Sequence, residues 1–542
     1  MTRRITRRDL LRGVAPAGAL ALAPPSALAS AAEGACAAPN AGRFLHGVAS
    51  GDPLADRVVL WSRVSGASGT QGVYRWVLAE DPDFRRGVRS GPVVTGPQRD
   101  WTIKVDVGGL PPGRSWWYRF ESKDHVSPVG RTRSLPVGSV ERFGLAVCSC
   151  SNYPAGFFHA YRVMAERDDI DLVMHLGDYL YEYGPEGYAG AQGRALGRVV
   201  SPPHALVTLA DYRARYAQYR SDPDLQALHA RHPMIAIWDD HESANDCWRG
   251  GAENHDPDTE GDWFIRREVA TRAWYEWLPV REPADRSLLA AWRSFDVGDL
   301  VTLAVIEARH VARDRQLVFD PARLEEVQAR LAEPARSLLG TEQMDWLRQQ
   351  WTASHARGVT WQLLGSPVVM APLATPDLAE GLSPDDQARL PAWLRERLEG
   401  TRLGLPYNLD AWDGYPAERQ RLYELMARHA RNPVVVSGDS HTAWSIDHAA
   451  AGGPAGLVEI GVTAVTSPGF DETLRLPSGR VAPLLRAANP HVRFVDTWRK
   501  GFALLEFTPE RLTARHVLLD DVTARTFEVT EVGGLSVSAA PG

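Results

Sequence analysis

Two apolar runs, each ending abruptly in residues that can ligate a metal, bracket a helical segment between Val147 and Gly184. The stretch reads VCSCSNYPAGFFHAYRVMAERDDIDLVMHLGDYLYEYG. Phe143 to Val147 stops at Cys148-Ser149-Cys150, and Leu172 to Leu176 stops at Gly177-Asp178-Tyr179-Leu180-Tyr181. Between them Phe157, Phe158, Tyr161 and Met164 fall close to helical spacing. Strand, helix and strand in this order predict a parallel pair. The C-terminal ends of such strands lie side by side, where open α/β sheets bind their ligands. Cys150, Asp178 and Tyr181 are therefore expected to meet, although they are far apart in sequence.

The same punctuation recurs. Met234 to Trp238 runs into Asp239-Asp240-His241-Glu242, with Asn245 just beyond, and Pro433 to Val436 runs into Ser437-Gly438-Asp439-Ser440-His441. A single aspartate at a strand end is often only a cap or a turn residue. Four such clusters supply thiolate, carboxylate, amide and imidazole together. That mixture suits two adjacent ions, with Asp178 as a bridge. The Cys150 thiolate and Tyr181 phenolate favour Fe(3+) at one position, since deprotonating a phenol near neutral pH needs a strong Lewis acid. The all-oxygen side suits Ca(2+), Mn or Mg, with Zn as a further option.

At 542 residues the chain has room for two or more domains. Residues 40–137 carry short β-like runs between Gly/Pro turns, which predict a small sandwich domain. Residues 138–532 alternate strands and helices, and within them 375–402, rich in Pro, Asp and Leu, reads as an insertion or lid. The Ser/Gly/Ala tail, 533–542, is expected to be disordered. A net charge of -7 offers no basic face for nucleic acid and no attraction to anionic lipid. Four cysteines, Cys36, Cys148, Cys150 and Cys247, are too few for a disulfide scaffold. Residues 1–39 begin with Thr6-Arg7-Arg8-Asp9-Leu10-Leu11-Arg12 and an apolar run to Leu28, with Ala27-Leu28-Ala29 as a cleavage site. This resembles a twin-arginine export signal. No later run is long and apolar enough to span a membrane. The expected mature protein is a soluble monomer exported by the twin-arginine machinery, then secreted, periplasmic or wall-associated.

Cys150, GDYLYEYG at Gly177 to Gly184, WDDHE at Trp238 to Glu242 with Asn245, and GDSH at Gly438 to His441 resemble the PhoD-type alkaline phosphatases. These belong to the calcineurin-like metallophosphatase superfamily, with the purple acid phosphatases. ASGDP…VLWSRV and DAWDGYPAER at Asp410 to Arg419 resemble the family too, so the likeness covers nearly the whole mature chain. It implies an α/β fold: a four-layer α/β/β/α catalytic domain behind an N-terminal Ig-like β-sandwich. It assigns the iron-type site to Cys150, Asp178, Tyr181, Asp439 and His441. The second cation would take Asp178 with Asp239, Asp240 and Asn245. Two segments depart from the family: Ile306-Glu307-Ala308-Arg309, where many relatives have LDTR, and Gly365-Ser366-Pro367, where many have Gly-Asn-Gln.

The expected chemistry is hydrolysis of a phosphate ester by in-line attack of a metal-bound hydroxide. His241 is the candidate to protonate the leaving oxygen, and Arg309 the candidate to hold phosphate. His204, His255 and His310 read as structural or surface residues. Substrates are expected to be small phosphate monoesters and also diesters. A phospholipase D-type activity on phospholipids is the alternative, since some relatives are iron-dependent phospholipases D. A serine hydrolase using Ser440 beside His441 is a rival from another class, although the second Gly of G-x-S-x-G is missing. A secreted binding protein without activity is a further rival.

Overall fold

The computed structural model describes residues 40–284, 286–319 and 323–540. The export motif and Cys36 lie outside the described residues. β-Branched and aromatic runs between Gly/Pro turns form β1 (Val48–Gly51), β2 (Val58–Arg63), β3 (Gly72–Ala79), β4 (Arg89–Thr95), β5 (Thr102–Val107), β6 (Ser115–Glu121) and β7 (Gly130–Arg133). Strands β4-β3-β6-β7 make one antiparallel sheet, and β1, β2 and β5 face it. Phe44, Leu60, Tyr74, Ile103, Trp116 and Phe120 fill the space between.

Strand–helix alternation then gives β8 (Phe143–Cys148), β9 (Leu172–His175) and β10 (Met234–Ala236). A hairpin, β11 (Arg293–Val297) with β12 (Val301–Val305), leads to β13 (Trp361–Ser366) and β14 (Pro433–Ser437). β15 (Ala443–Asp447), β16 (Val458–Gly461), β17 (Val492–Asp496), β18 (Lys500–Phe507), β19 (Arg511–Leu519) and β20 (Val529–Ser538) complete the strands of the described residues. They form a nine-stranded sheet, β20-β19-β18-β8-β9-β10-β1-β2-β5, and a seven-stranded one, β11-β12-β13-β14-β16-β15-β17.

Some of the N-terminal strands also extend a larger sheet. β1 pairs in parallel with β10, so half of the small sandwich continues the nine-stranded sheet. Asp52, at the Gly-Asp-Pro turn after β1, is buried and binds Arg293 through both oxygens, at 2.9 and 3.0 Å. This buried pair fastens the N-terminal strands to the hairpin of the seven-stranded sheet.

β8, β9 and β10 are parallel, with Val147 opposite Met174 and Met174 opposite Ile235. Their C-terminal ends line up at one rim, as the strand–helix–strand reading requires. In the second sheet β12, β13 and β14 are likewise parallel. Alternating side chains explain the stacking. Leu303, Val305, Leu363, Val434 and Val436 join the same core as Leu145, Val173 and Met174. Their neighbours Ala304, Leu364 and Val435 pack instead with Leu347, Trp351, Leu422 and Met426 of helices Gly340–Ala356 and Pro416–His429. The sheets approach closely at Gly365, where a Cβ would lie 2.8 Å from Met174 Sδ. The 375–402 segment forms short helices whose Leu378, Leu382, Leu390 and Leu394 pack with Trp444 and Ile446 of β15.

One expectation fails at the C-terminus. The tail read as disordered from Gly533 continues as β20 to Ser538, paired with β19 from Leu519↔Val529 to Arg511↔Ser538. An edge strand draws its hydrogen bonds from one neighbour and keeps one face in solvent, so it needs few apolar residues. Leu535 and Val537 supply them against the core.

Candidate metal centre

Every expected ligand loop follows a strand end, and the backbone there is unusual. Cys150, Asp178, Asp439 and His441 all take positive φ, at 60°, 54°, 65° and 52°. Such values are uncommon outside glycine, and they concentrate at sites where the surroundings force them. Gly177 between β9 and Asp178 is at φ 103°, and a Cβ on it would lie 2.4 Å from Asp239 Cβ. Only glycine lets the two acidic loops come this close.

Two ligand clusters result. Donor atoms of Cys150, Asp178 and His441 lie within 4.8 Å of one another, as do those of Asp178, Asp240 and His241. Asp178 belongs to both. Tyr181 completes the first cluster: its phenol donates to Asp178 Oδ2 at 3.0 Å and lies 3.3 Å from His441 Nε2. Ser467, not singled out from sequence, donates to the Tyr181 oxygen at 2.7 Å. His441 donates Nδ1–H to the Pro468 carbonyl at 2.9 Å, which leaves Nε2 as the basic nitrogen facing the cluster. Burial, with the charge of Lys500, lowers the His441 pKa to about 3, so the imidazole stays neutral.

The charge balance calls for cations. Asp178 Oδ1 and Asp239 Oδ2 are buried without a hydrogen-bond partner among the described residues. Burial, together with the neighbouring Asp240, Asp239 and Glu242, drives the Asp178 pKa far above the carboxylate range, although His241 opposes this. Burial and Asp178 raise the Cys150 thiol likewise. Burial with the charges of Asp239 and Asp410 raises Asp439. Carboxylates crowded in this way need an opposite charge to stay ionised. The donor set of thiol, phenol, imidazole and carboxylates is that of a metal site, and the residues present fit one.

The remaining expected residues divide. Asp239 accepts Arg309 Nε at 2.5 Å, and burial raises its pKa to about 6 against that guanidinium. Asp240 belongs to the second cluster, and Asp239, its neighbour in the chain, lies outside it. Asp439 stands apart from the tight groups and accepts Asn408 Nδ2 at 3.5 Å. Asn245 hydrogen-bonds Glu253 through its carboxamide at 3.3 Å, and its backbone N–H, rather than its side chain, joins the scaffold through Glu182 at 2.8 Å. Arg309, the expected phosphate contact, is engaged with acidic side chains. It is fully buried, its Nε holds Asp239, and its Nη1 holds both oxygens of Asp410 at 2.8 and 2.9 Å. Its charge offsets the acidic loops. Ser440 accepts the Trp444 indole N–H at 3.0 Å, while both His441 nitrogens face other groups, so no serine–histidine pair exists. His310 is buried with Nδ1 3.9 Å from Cys247 Sγ, and His204 is exposed.

Several residues that organise the loops escaped the sequence reading, although the three glutamates among them sit inside the quoted segments. Glu242 Oε2 accepts the backbone N–H groups of Asp178 and Asp239, and Oε1 that of Tyr179. Glu182 accepts His241 Nδ1–H at 2.8 Å. Burial opposes charge on His241, but Asp240, Glu182 and Asp178 outweigh it and hold the imidazolium well above its ordinary pKa. Glu307 accepts the backbone N–H groups of Arg309, His310 and Val311, shaping the loop that departs from the family pattern. Buried Arg215 donates to the carbonyls of Tyr181 and Tyr183 and so pins the Gly177–Gly184 loop. Fixed spacing marks these glutamates as motif members; their direction is set only by the fold.

The PhoD-like phosphatase family matches residues 145–516, and the N-terminal domain of PhoD-like phosphatases matches residues 29–136. The chain belongs to the PhoD-like phosphatase family. It is 32% identical to alkaline phosphatase D of Bacillus subtilis (strain 168) over 535 residues, which span 95% of this chain and 85% of that protein. The solved structure of PhoD superposes with a TM-score of 0.75 at 30% identity, covering 93% of this chain and 91% of the other. The PhoD-like match thus runs across both the strand-end loops and the N-terminal strands that frame them.

Proposed function

We propose that this member of the PhoD-like family is a metal-dependent phosphoric ester hydrolase of the alkaline phosphatase D type, acting on phosphate monoesters and extending to diesters. The observation that carries this reading is the convergence of Cys150, Asp178, Tyr181 and His441 beside Asp178, Asp240 and His241, with buried carboxylate oxygens left unpaired. Cys150, Asp178, Tyr181, Asp439 and His441 would hold an iron-type ion, and Asp178 with Asp239 and Asp240 a calcium-type one. Bound cations supply a nucleophile at neutral pH and offset charge on the phosphoryl oxygens. His241 keeps its proton through Asp240 and Glu182 and presents it to the leaving oxygen, while Glu182 fixes the ring through Nδ1. Arg309 holds Asp239 and Asp240 in place rather than touching substrate.

The same reading takes the two stacked sheets with their outer helices as the four-layer catalytic domain, starting near residue 138 and running to the end of β20. It takes the strands of 40–137 as the Ig-like domain. Export through the twin-arginine machinery and a monomeric state belong to it as well. No helix among the described residues is long and apolar enough to cross a membrane.

Asp178→Ala tests the core of this reading. The variant is expected to lose p-nitrophenyl phosphate hydrolysis and bound metal together while keeping its circular dichroism spectrum. A folded variant that still turns over would overturn it. Activity on p-nitrophenyl phosphate, bis-p-nitrophenyl phosphate and phosphatidylcholine ranks monoesters, diesters and phospholipids.

A further inference from the structure

Most of the tyrosines around the centre are tied down. Tyr161 bonds His175, Tyr179 bonds His229, and Tyr212 bonds the Ser243 carbonyl, each with its ring buried. Tyr183 and Tyr188 differ. Both residues are partly exposed, and neither phenol has a hydrogen-bond partner among the described residues. Their position is specific. The Tyr188 ring lies nearly parallel to the His441 imidazole, at 14° and 6.5 Å between centroids, and 6.0 Å from Tyr181. The Tyr183 ring is 5.5 Å from His241 and meets Tyr188 at 65° and 6.1 Å. One ring therefore borders each ligand cluster, and the two rings touch each other.

The loop is built to present them. Arg215 holds the Tyr183 carbonyl at 2.9 Å. Two tight turns, Gly187 N–H to Gly184 and Gly190 N–H to Gly187, reverse the chain. A Cβ at Gly187 would lie 2.7 Å from Tyr183 Cβ, so the turn rests directly on that side chain. Ordered aromatic faces with free hydroxyls beside a centre that handles phosphate have the character of a substrate wall. The faces accept apolar or planar groups, and a phenol, which keeps its proton at neutral pH, donates to an anionic oxygen.

We propose that Tyr183 and Tyr188 form the wall that receives the organic half of the ester, selecting a planar aromatic group, and that the Tyr188 hydroxyl donates to a phosphoryl oxygen. This rests on the phosphoesterase reading and adds a specificity element to it. It assigns Tyr188 contact with substrate rather than with a cation.

Competitive inhibition separates binding from leaving-group reactivity. In the metal-loaded enzyme phenylphosphonate should inhibit p-nitrophenyl phosphate hydrolysis more tightly than methylphosphonate. Tyr183→Ala and Tyr188→Ala should each reduce that preference by about three- to tenfold, the scale of one aromatic pairing. Tyr188→Phe should keep the preference but weaken both phosphonates alike. Metal content and the visible absorption of the centre should be unchanged in all three. An unaltered phenyl-to-methyl ratio in both alanine variants overturns the wall. Loss of metal or of the visible band in Tyr188→Phe overturns it in favour of a ligand role. A wild-type enzyme that neither hydrolyses the ester nor responds to methylphosphonate refutes the phosphoesterase reading itself, a separate result.

Discussion

Glu242 accepts the backbone N–H of Asp178 at 3.0 Å across 64 residues of sequence. Its same oxygen accepts Asp239 N–H at 2.8 Å, and its other oxygen Tyr179 N–H at 2.6 Å. One buried carboxylate thus joins the loops after β9 and β10 and holds Asp178 in its left-handed conformation. Glu242→Gln turns an NH2 group against one of these donors. It should cost about 1–3 kcal/mol of stability and about 10–100-fold in metal affinity. Thermal melts with and without metal, alongside metal-binding isotherms, measure both. Unchanged metal affinity would remove Glu242 from the centre.

Asp410 lies between two buried guanidiniums, Arg309 and Arg313. Asp410→Asn removes the charge that both share and leaves two cations facing each other. Removing one partner of a buried ion pair typically costs about 3–5 kcal/mol. Because Arg309 also holds Asp239, the loss should reach activity as well. Urea unfolding and p-nitrophenyl phosphate hydrolysis should fall together. Loss of stability with kcat intact would confine Asp410 to the scaffold.

His516 links pH to folding away from the metal ligands. It is buried on β19, accepts or donates at Ser445 Oγ at 3.0 Å, and leaves Nδ1 unpartnered. Burial lowers its pKa from 6.5 to about 4. Between those values the unfolded chain binds a proton that the folded chain refuses, so this contribution is complete above pH 6.5 and disappears as the pH falls toward 4. His516→Gln should flatten the decline of Tm with pH across this window. Parallel curves for variant and wild type would mean that other groups govern the acid limb.

Much of the site was legible because its chemistry is written at strand ends. Cys150, Asp178 and Tyr181 follow two apolar runs whose parallel pairing was foreseeable; His441 follows a run in the other sheet, and all four come together. What eluded the sequence was direction. Arg309 is a buried cation in a motif, and nothing local says whether it faces phosphate or Asp239. Asn245 follows the acidic cluster, yet the turn at Asp240 to Ala244 aims its carboxamide at Glu253. The β1–β10 pairing that carries N-terminal strands into the large sheet was not foreseen, because it joins segments separated by a long stretch of chain. The end of β20, past Val532, was missed because an edge strand needs little hydrophobicity.

The partnership of Val147 with Ala503 spans most of the polypeptide. The strand that delivers the thiol has only one neighbour in place until residues 500–507 have left the ribosome. The sheet beside the proposed centre is therefore completed only when synthesis is nearly finished. Trimming β18 and β19 should abolish catalysis although none of the proposed ligands lies on them.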